Sequence, residues 1–453
     1  MKIINPATGE IFKEVEADGE RRISEKYESL REGQRAWSKR PLDERIACLQ
    51  RFSDLLAKNK ETLTKILTTE VGKPIRESRN EIAGAIYRIQ FFLQNSKKHL
   101  SAEQVNEVSG TREVLAFEPM GVIGNISAWN YPYLIAMNVI VPALIAGNAV
   151  LYKPSEFSTL SGLEIQRLLF EAGVPENVFQ AVIGEGTAGK ALLKLPLDGY
   201  FFTGSHATGR AIAAALAGRL VPVTLELGGK DPLYVMDDVD VAKAAANAVE
   251  GAFYNAGQSC CAVERIYVHE KIDEPFVEAF VQEVQKLKMD DPVYESATLG
   301  PVTRHANLQH LARQVKDAVD RGAKILTGGK RVVGLGHFFE PTVLVDVNHT
   351  MSVMKEETFG PVIGIQKVKD DAEALKLMED TEYGLTAAVF SKDEARAKAI
   401  LEKLNVGTGY WNCCDRVSPW LPWSGRKNSG MGTTLSYLGI HAFVRPKGYH
   451  LRG

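Results

Sequence analysis

The stretch that decides the fold runs from Val122 to Glu156, VIGNISAWNYPYLIAMNVIVPALIAGNAVLYKPSE. It holds a short apolar run, Val122–Ser127, a polar corner, Trp129-Asn130-Tyr131-Pro132, a segment of helical spacing, Leu134–Ile145, and a second apolar run, Ala149–Lys153. The same alternation continues outward. Val178–Ile183, Gly199–Thr203 and Val223–Leu227 read as further strands, and Leu160–Glu171, Thr187–Lys194 and Thr208–Leu220 as the helices between them. Short buried runs alternating with helices build a parallel sheet covered on both faces. Such sheets bind ligands at the carboxyl ends of their strands.

Three of those ends are polar or small. Trp129–Pro132 follows the first strand, Lys153-Pro154-Ser155-Glu156 the second, and Thr203-Gly204-Ser205-His206-Ala207-Thr208-Gly209 the fourth. Glycine and serine at a helix N-terminus leave backbone N–H groups free for a phosphate. A Lys and a Glu on the adjacent strand end suit the hydroxyls of a ribose. The segment is not a Gly-x-Gly-x-x-Gly fingerprint, and on its own Gly204–Gly209 reads first as an ordinary helix cap.

A second βα-rich region, from about Pro232 to Lys427, opens with a helix expected over Val241–Tyr254 and delivers the chain to Gln258-Ser259-Cys260-Cys261. Upstream stands Glu226-Leu227-Gly228-Gly229-Lys230. A thiol able to attack a carbonyl and a carboxylate able to activate water form a pair in which the second discharges what the first captures. Each residue has a plainer reading, Cys260 as core and Glu226 as a strand end, so the pair gains meaning only from the rest of the chain.

The bulk properties narrow the choices. A chain of 453 residues calls for two or three domains, and 45% hydrophobic with 24% charged residues is a globular composition. A net charge of -2 points to neither a nucleic-acid partner nor an acidic membrane surface. The apolar stretch Val139–Leu151 is broken by Pro142, Gly147 and Asn148 and is too short to span a bilayer. Cys48, Cys260, Cys261, Cys413 and Cys414 make no disulfide framework, which fits a reducing cytoplasm. The nine histidines show no ligand spacing, so no metal is expected.

Taken together these segments closely resemble the NAD(P)-dependent aldehyde dehydrogenase superfamily, from Asn5-Pro6-Ala7-Thr8-Gly9 to Ser429-Gly430. The resemblance implies an α/β fold. A Rossmann-like parallel-sheet cofactor domain (1–100 and 120–227) would join an α/β catalytic domain (228–427). A small β oligomerisation arm (101–119 and 444–453) would make a dimer or tetramer. It implies Cys260 as nucleophile, Asn130 with the Cys260 N–H as oxyanion hole, and Glu226 as the base that activates water. It places Lys153 and Glu156 on the adenosine ribose, Gly204 and Ser205 beside the pyrophosphate, and Glu357 on the nicotinamide ribose. Phe359 would pack near the nicotinamide, with Trp129 in the cofactor-side wall. Glu156 should repel a 2′-phosphate, so NAD is the expected cofactor, with NADP the alternative.

The expected reaction is oxidation of an aldehyde to its acid by hydrolysis of a Cys260 thioester. The rival transfer of the acyl group to CoA goes with relatives that lack the Glu of Glu-Leu-Gly-Gly. A catalytically silent binding protein of the same fold would tend to lose Cys260 or Glu226, and a cysteine hydrolase lacks a His in a recognisable motif. Tyr131 and Trp423 line the expected substrate pocket. They suit a neutral aliphatic or aromatic aldehyde, the main expectation, or an amino- or betaine aldehyde held by cation–π contact. Asn138 stands where the latter enzymes often carry another Trp. Arg416 leaves a semialdehyde open. Cys261, Cys413 and Cys414 read as packing, Glu356 as a solvated carboxylate, and Lys230 as a support for the turn after Glu226. Val139 and Thr434 replace a Lys and a Glu that in many members form a proton path from the base, so Glu226 is expected to pass its proton directly to solvent.

Overall fold

Val122–Ile126 (β1), Ala149–Lys153 (β2), Phe179–Ala181 (β3), Gly199–Thr203 (β4) and Val223–Glu226 (β5) form one sheet, all parallel, in the order β5-β4-β1-β2-β3. Gly430–Met431 returns from the far end of the chain to pair antiparallel with β5. The computed structural model describes residues 1–334 and 336–453. β3 is shorter than its apolar run because it is an edge strand with one partner. The order reverses at β1, since β2 and β3 lie on one side and β4 and β5 on the other. A crevice therefore opens beyond the carboxyl ends of β1 and β4.

Four helices precede the sheet: Glu20–Lys39, Leu42–Lys58, Lys60–Val71 and Ile75–Leu100, the last labelled α1. Pro132–Ala146 (α2) is apolar on nearly every face, as a helix buried on all sides must be. Pro132 opens it and Gly147, at φ 97°, ends it in the left-handed conformation. His206–Leu216 (α3) stops short of the expected Leu220, where Gly218 and Pro222 disfavour helix. Val241–Phe253 (α4) ends one residue before the expected Tyr254.

A second sheet of seven strands runs from Lys324–Thr327 through Thr342–Val345, Val362–Val368, Arg265–His269, Pro232–Val235 and Thr386–Phe390 to Thr408–Trp411. Its two faces carry separate apolar clusters, one around Tyr234, Leu311 and Met354, the other around Leu233, Phe280 and Ile363. A third sheet is antiparallel, with Thr111–Pro119 between Val444–Arg452 and Glu103–Val108. Ser109 and Gly110, at φ 51° and 78°, make the tight turn of its hairpin. Glu103–Val108 is exposed along its whole length. Among the described residues no helix is long and apolar enough to cross a membrane.

Candidate active site

After α4 the chain turns through Asn255, Ala256 and Gly257 at φ 52°, 53° and 70°. Two of these are not glycine, so the turn costs energy and must be held by its surroundings. At Gly257 a Cβ would lie 2.4 Å from the Gly360 carbonyl oxygen. Asn255 donates through Nδ2 to the carbonyls of Asn130 and Gln258, both at 3.2 Å, and its N–H donates to Glu77 at 2.8 Å. Gln258 donates to Asn255 O at 3.0 Å and accepts the Thr303 N–H at 2.8 Å. This buried network fixes the loop that presents Cys260, which is half-buried.

Cys260 and Glu226 both line two cavities of about 230 and 280 Å³. The first is walled by Arg88, Tyr131, Asn138, Asp415 and Trp423, the second by Trp129, Asn130, Gly204, Ser205, Glu357 and Phe359. Thiol and carboxylate thus stand where two pockets meet. Asn130 follows β1 and donates through Nδ2 to Gln258 O at 3.1 Å. Its amide carries a second N–H, which that bond leaves free. Among the described residues no protein acceptor takes the Cys260 N–H.

Glu226, at the end of β5, is 7% exposed. Burial pushes its carboxyl up to about 7, against the opposing pull of a Thr434 hydroxyl that donates to Oε1 and of the Arg88 charge. A carboxyl in that range takes up a proton near neutral pH, as a general base must. Thr434, also buried, donates to Oε1, while the Glu226 side chain lines both cavities. Val139 is buried and apolar.

The second cavity holds most of the residues expected to face the cofactor. Glu357 faces Gly228 so closely that a Cβ there would lie 2.1 Å from Oε1. Burial and then the neighbouring Glu264 push the Glu357 carboxyl up to about 8. The loop bearing Glu357 and Phe359 is fixed from below. Glu264 accepts the N–H groups of Thr358 and Phe359 at 2.8 and 2.9 Å, and Lys230 pairs with Glu264 at 2.6 Å and bonds Thr358 at 2.8 Å. Phe359 sits at φ 49° and meets Trp129 edge-to-face, centroids 5.5 Å apart. Ser205 caps α3 through Thr208 N at 3.4 Å, so the helix-cap reading of that segment describes its side chain. Gly204 and Ser205, at the N-terminus of that helix, line the cavity, and a helix N-terminus suits an anion. Lys153 and Glu156 lie outside this lining, paired with each other at 3.7 Å at the end of β2. Among the described residues no three His, Cys, Asp or Glu side chains gather to hold a metal ion.

On the other side, one face of Tyr131 is taken by Lys73, whose Nζ lies 3.6 Å from the ring centroid. Lys73 is also bonded to Glu81, and both are fully buried. Trp423 is buried and exchanges backbone hydrogen bonds of 2.8 and 2.9 Å with Thr434. Asp415 accepts from Ser259 at 2.9 Å and from Cys261 at 3.0 Å. Cys261 is buried, its thiol held well above the usual range by the Cys260 contact and by burial. Cys414 is packed in the core, Cys413 is half-buried at its edge, and Glu356 is exposed on Arg313 at 3.2 Å.

Sequence reasoning missed the contribution of α1. Glu77, Glu81, Gly84 and Arg88 follow one another by four, three and four residues, so they share a helix face, and all line the first cavity. Polar residues repeated on an otherwise buried stripe were the available signal.

The model of the Aldehyde dehydrogenase family matches residues 1–448. The chain is 35% identical over 449 residues to the mitochondrial succinate-semialdehyde dehydrogenase of Arabidopsis thaliana, covering 99% of this chain and 85% of that one. It is 35% identical over 460 residues to the peroxisomal aminoaldehyde dehydrogenase 2 of Malus domestica, covering 99% and 91%. Among solved structures, an E. coli NADP-dependent enzyme superposes with a TM-score of 0.97 at 31% identity, over 100% of this chain and 94% of that chain. An NAD-dependent aldehyde dehydrogenase from Sinorhizobium meliloti gives 0.97 at 31%, over 100% and 91%.

Proposed function

The chain belongs to the aldehyde dehydrogenase family and oxidises an aldehyde to the acid with NAD(P), and from that premise we propose a hydrolytic mechanism in which Cys260 is the nucleophile and Glu226 the base. The observation that carries it is the position of both residues at the junction of the two cavities. Cys260 Sγ, as thiolate, attacks the carbonyl carbon and forms a C–S bond. Charge gathers on the former aldehyde oxygen, where the free Asn130 N–H and the Cys260 N–H meet it. NAD(P), when bound, supplies the acceptor for the hydride that this carbon gives up. Glu226 then takes a proton from water, the oxygen attacks the thioester carbon, and the C–S bond breaks to return the Cys260 thiolate and release the acid.

Gly204, Ser205, Glu357, Phe359 and Trp129 are the residues that would hold the cofactor around its reactive half, and Lys153 with Glu156 the adenosine ribose. The Glu156 carboxylate supports NAD over NADP. We assign the cofactor domain to 1–100 and 120–227, joined by the returning strand Gly430–Met431, and the catalytic domain to 228–427. The exposed edge Glu103–Val108 supports assembly of copies through the third sheet, since unpaired strand edges recruit strands. The free cysteines support a reducing compartment such as the cytoplasm.

For the substrate, the expectation of a neutral aldehyde gives way to one with a charged far end. Both named relatives take such substrates, and charged side chains from α1 line the cavity. Initial rates of reduced-cofactor formation over neutral, amino-, betaine and carboxy-aldehydes, with NAD and NADP in parallel, test the reading. Rates highest on neutral aldehydes would sink the substrate proposal, and no oxidation with any member would sink the mechanism.

A further inference from the structure

Arg88 projects from α1 into the first cavity and is 6% exposed. Its Nη1 donates to Leu134 O at 3.0 Å and to Asn138 Oδ1 at 2.8 Å, which orients the guanidinium against α2. Among the described residues Nε and Nη2 make no hydrogen bond and no carboxylate forms an ion pair with it. The side chain that carries both nitrogens lines the cavity. A buried guanidinium without a counter-ion is costly, and burial pushes Arg88 down to about 10.

Besides Glu226, the other charges on that wall have partners of their own. Glu81 is bonded to Lys73 and also accepts the Tyr133 N–H at 2.9 Å. Burial pushes Glu77 up to about 8, and it accepts the Asn255 N–H. Asp415 is bonded to Ser259 and Cys261, and Arg416, on the rim, pairs with Glu250 at 2.9 Å. Among the described residues Arg88 is left as the one cation on that wall without an ion-pair partner, and Glu226, toward the Cys260 end of the pocket, is the strongest opposing charge it feels. An aminoaldehyde would bring a second cation to Arg88. A planar carboxylate would take two of its N–H groups at once.

Resting on the family reading above, we propose that Arg88 recognises the far end of the substrate, and that the substrate is a semialdehyde carrying a carboxylate there. Asn138 is the positioning residue that holds the fork in place. Leaving a large ring out of position 138 makes room for it.

The test compares kcat/KM for ω-carboxy aldehydes of increasing length with neutral and ω-amino aldehydes of equal length. Wild type is expected to prefer one carboxy-aldehyde over its neutral counterpart by about 100-fold, the worth of a charged hydrogen-bonded contact. Arg88→Met should lose about that factor on the carboxy-aldehyde and far less on the neutral one, with Arg88→Lys between. Equal losses on both substrates would overturn the proposal, because Arg88 would then act through Glu226 or Cys260. So would a wild type that shows no preference or favours ω-amino aldehydes. Oxidation of no aldehyde at all would instead remove the mechanism on which the proposal rests. Should Arg88→Met fail to fold, inhibition of wild type decides the matter. An ω-carboxy amide should inhibit at a concentration at least about tenfold lower than the corresponding diamide, which lacks the far-end carboxylate, and equal inhibition would refute the assignment.

Discussion

Replacing Thr434 with valine removes one hydroxyl, keeps the shape, and leaves the backbone pairing of Thr434 with Trp423 untouched. The lost bond is the one Thr434 donates to Glu226, between two buried side chains. It favours the carboxylate over the acid, as does the Arg88 charge, while burial opposes both. A hydrogen bond to a charged group contributes about 1.5–3 kcal/mol. At about 1.4 kcal/mol per pH unit, its loss should raise the Glu226 inflection by about one to two units from its starting value near 7. At pH 7 the carboxylate fraction would fall from about a half to ~1–10%, and hydrolysis of the thioester would slow by about 5- to 50-fold. Only the ionised form takes a proton from water, so the rate climbs with pH through the inflection and the variant should recover in alkali. Rapid-mixing measurements of reduced-cofactor formation give the assay. The initial burst should keep its amplitude, while the steady rate drops and its pH profile moves upward. A profile that still inflects near 7, or an equal loss at every pH, would refute the claim that Thr434 tunes the base.

Glu226→Gln keeps the shape but not the base, and should trap acyl-enzyme visible by mass spectrometry, with turnover down by about 10²–10⁴-fold. Full turnover in that variant would remove its role. Cys260→Ala should abolish oxidation while cofactor still binds, measured by calorimetry; near-normal turnover would identify another nucleophile. Lys230→Met strands the buried Glu264 carboxylate, so thermal or chemical unfolding should show a loss of about 3–5 kcal/mol. Cofactor should also bind more weakly, because Glu264 fixes the loop that bears Glu357 and Phe359. Unchanged stability would mean that Lys230 is dispensable to that loop.

The parallel sheet was legible because its strands are short apolar runs whose period differs sharply from that of the helices between them. Cys260, Asn130 and Glu226 stand in contiguous motifs, and the structure brings all three to one crevice. What escaped sequence reading are contacts between residues distant along the chain. Thr434 meets Glu226 across 208 positions, and nothing in Gly432-Thr433-Thr434 announces a partner. Read as the absence of a charged relay member, Thr434 looks like a loss. Placed in space, it is a donor aimed at the base. Arg88 was hidden differently, within a 26-residue helix whose charged residues fit an ordinary amphipathic pattern.

Its meaning emerges from Asn138, 50 residues away, which bonds to it at 2.8 Å. Asn138 had counted only as a missing aromatic, and Val139 only as a missing lysine. The two departures have a common physical basis. A lysine at 139, a buried position next along α2 from the residue that orients Arg88, would add a second buried cation, and like charges in a low-dielectric interior repel strongly. An aromatic at 138 would take the space of the guanidinium that Asn138 orients. The cation at this wall therefore comes from α1, where its fork can face the aldehyde cavity while its charge still reaches Glu226. Arg88→Met with Val139→Lys separates these duties. It should restore part of the charge felt by Glu226, shifting the pH profile back, without restoring discrimination for the carboxylate. If both recover together, a point charge is enough and the two-pronged geometry of Arg88 carries no specificity.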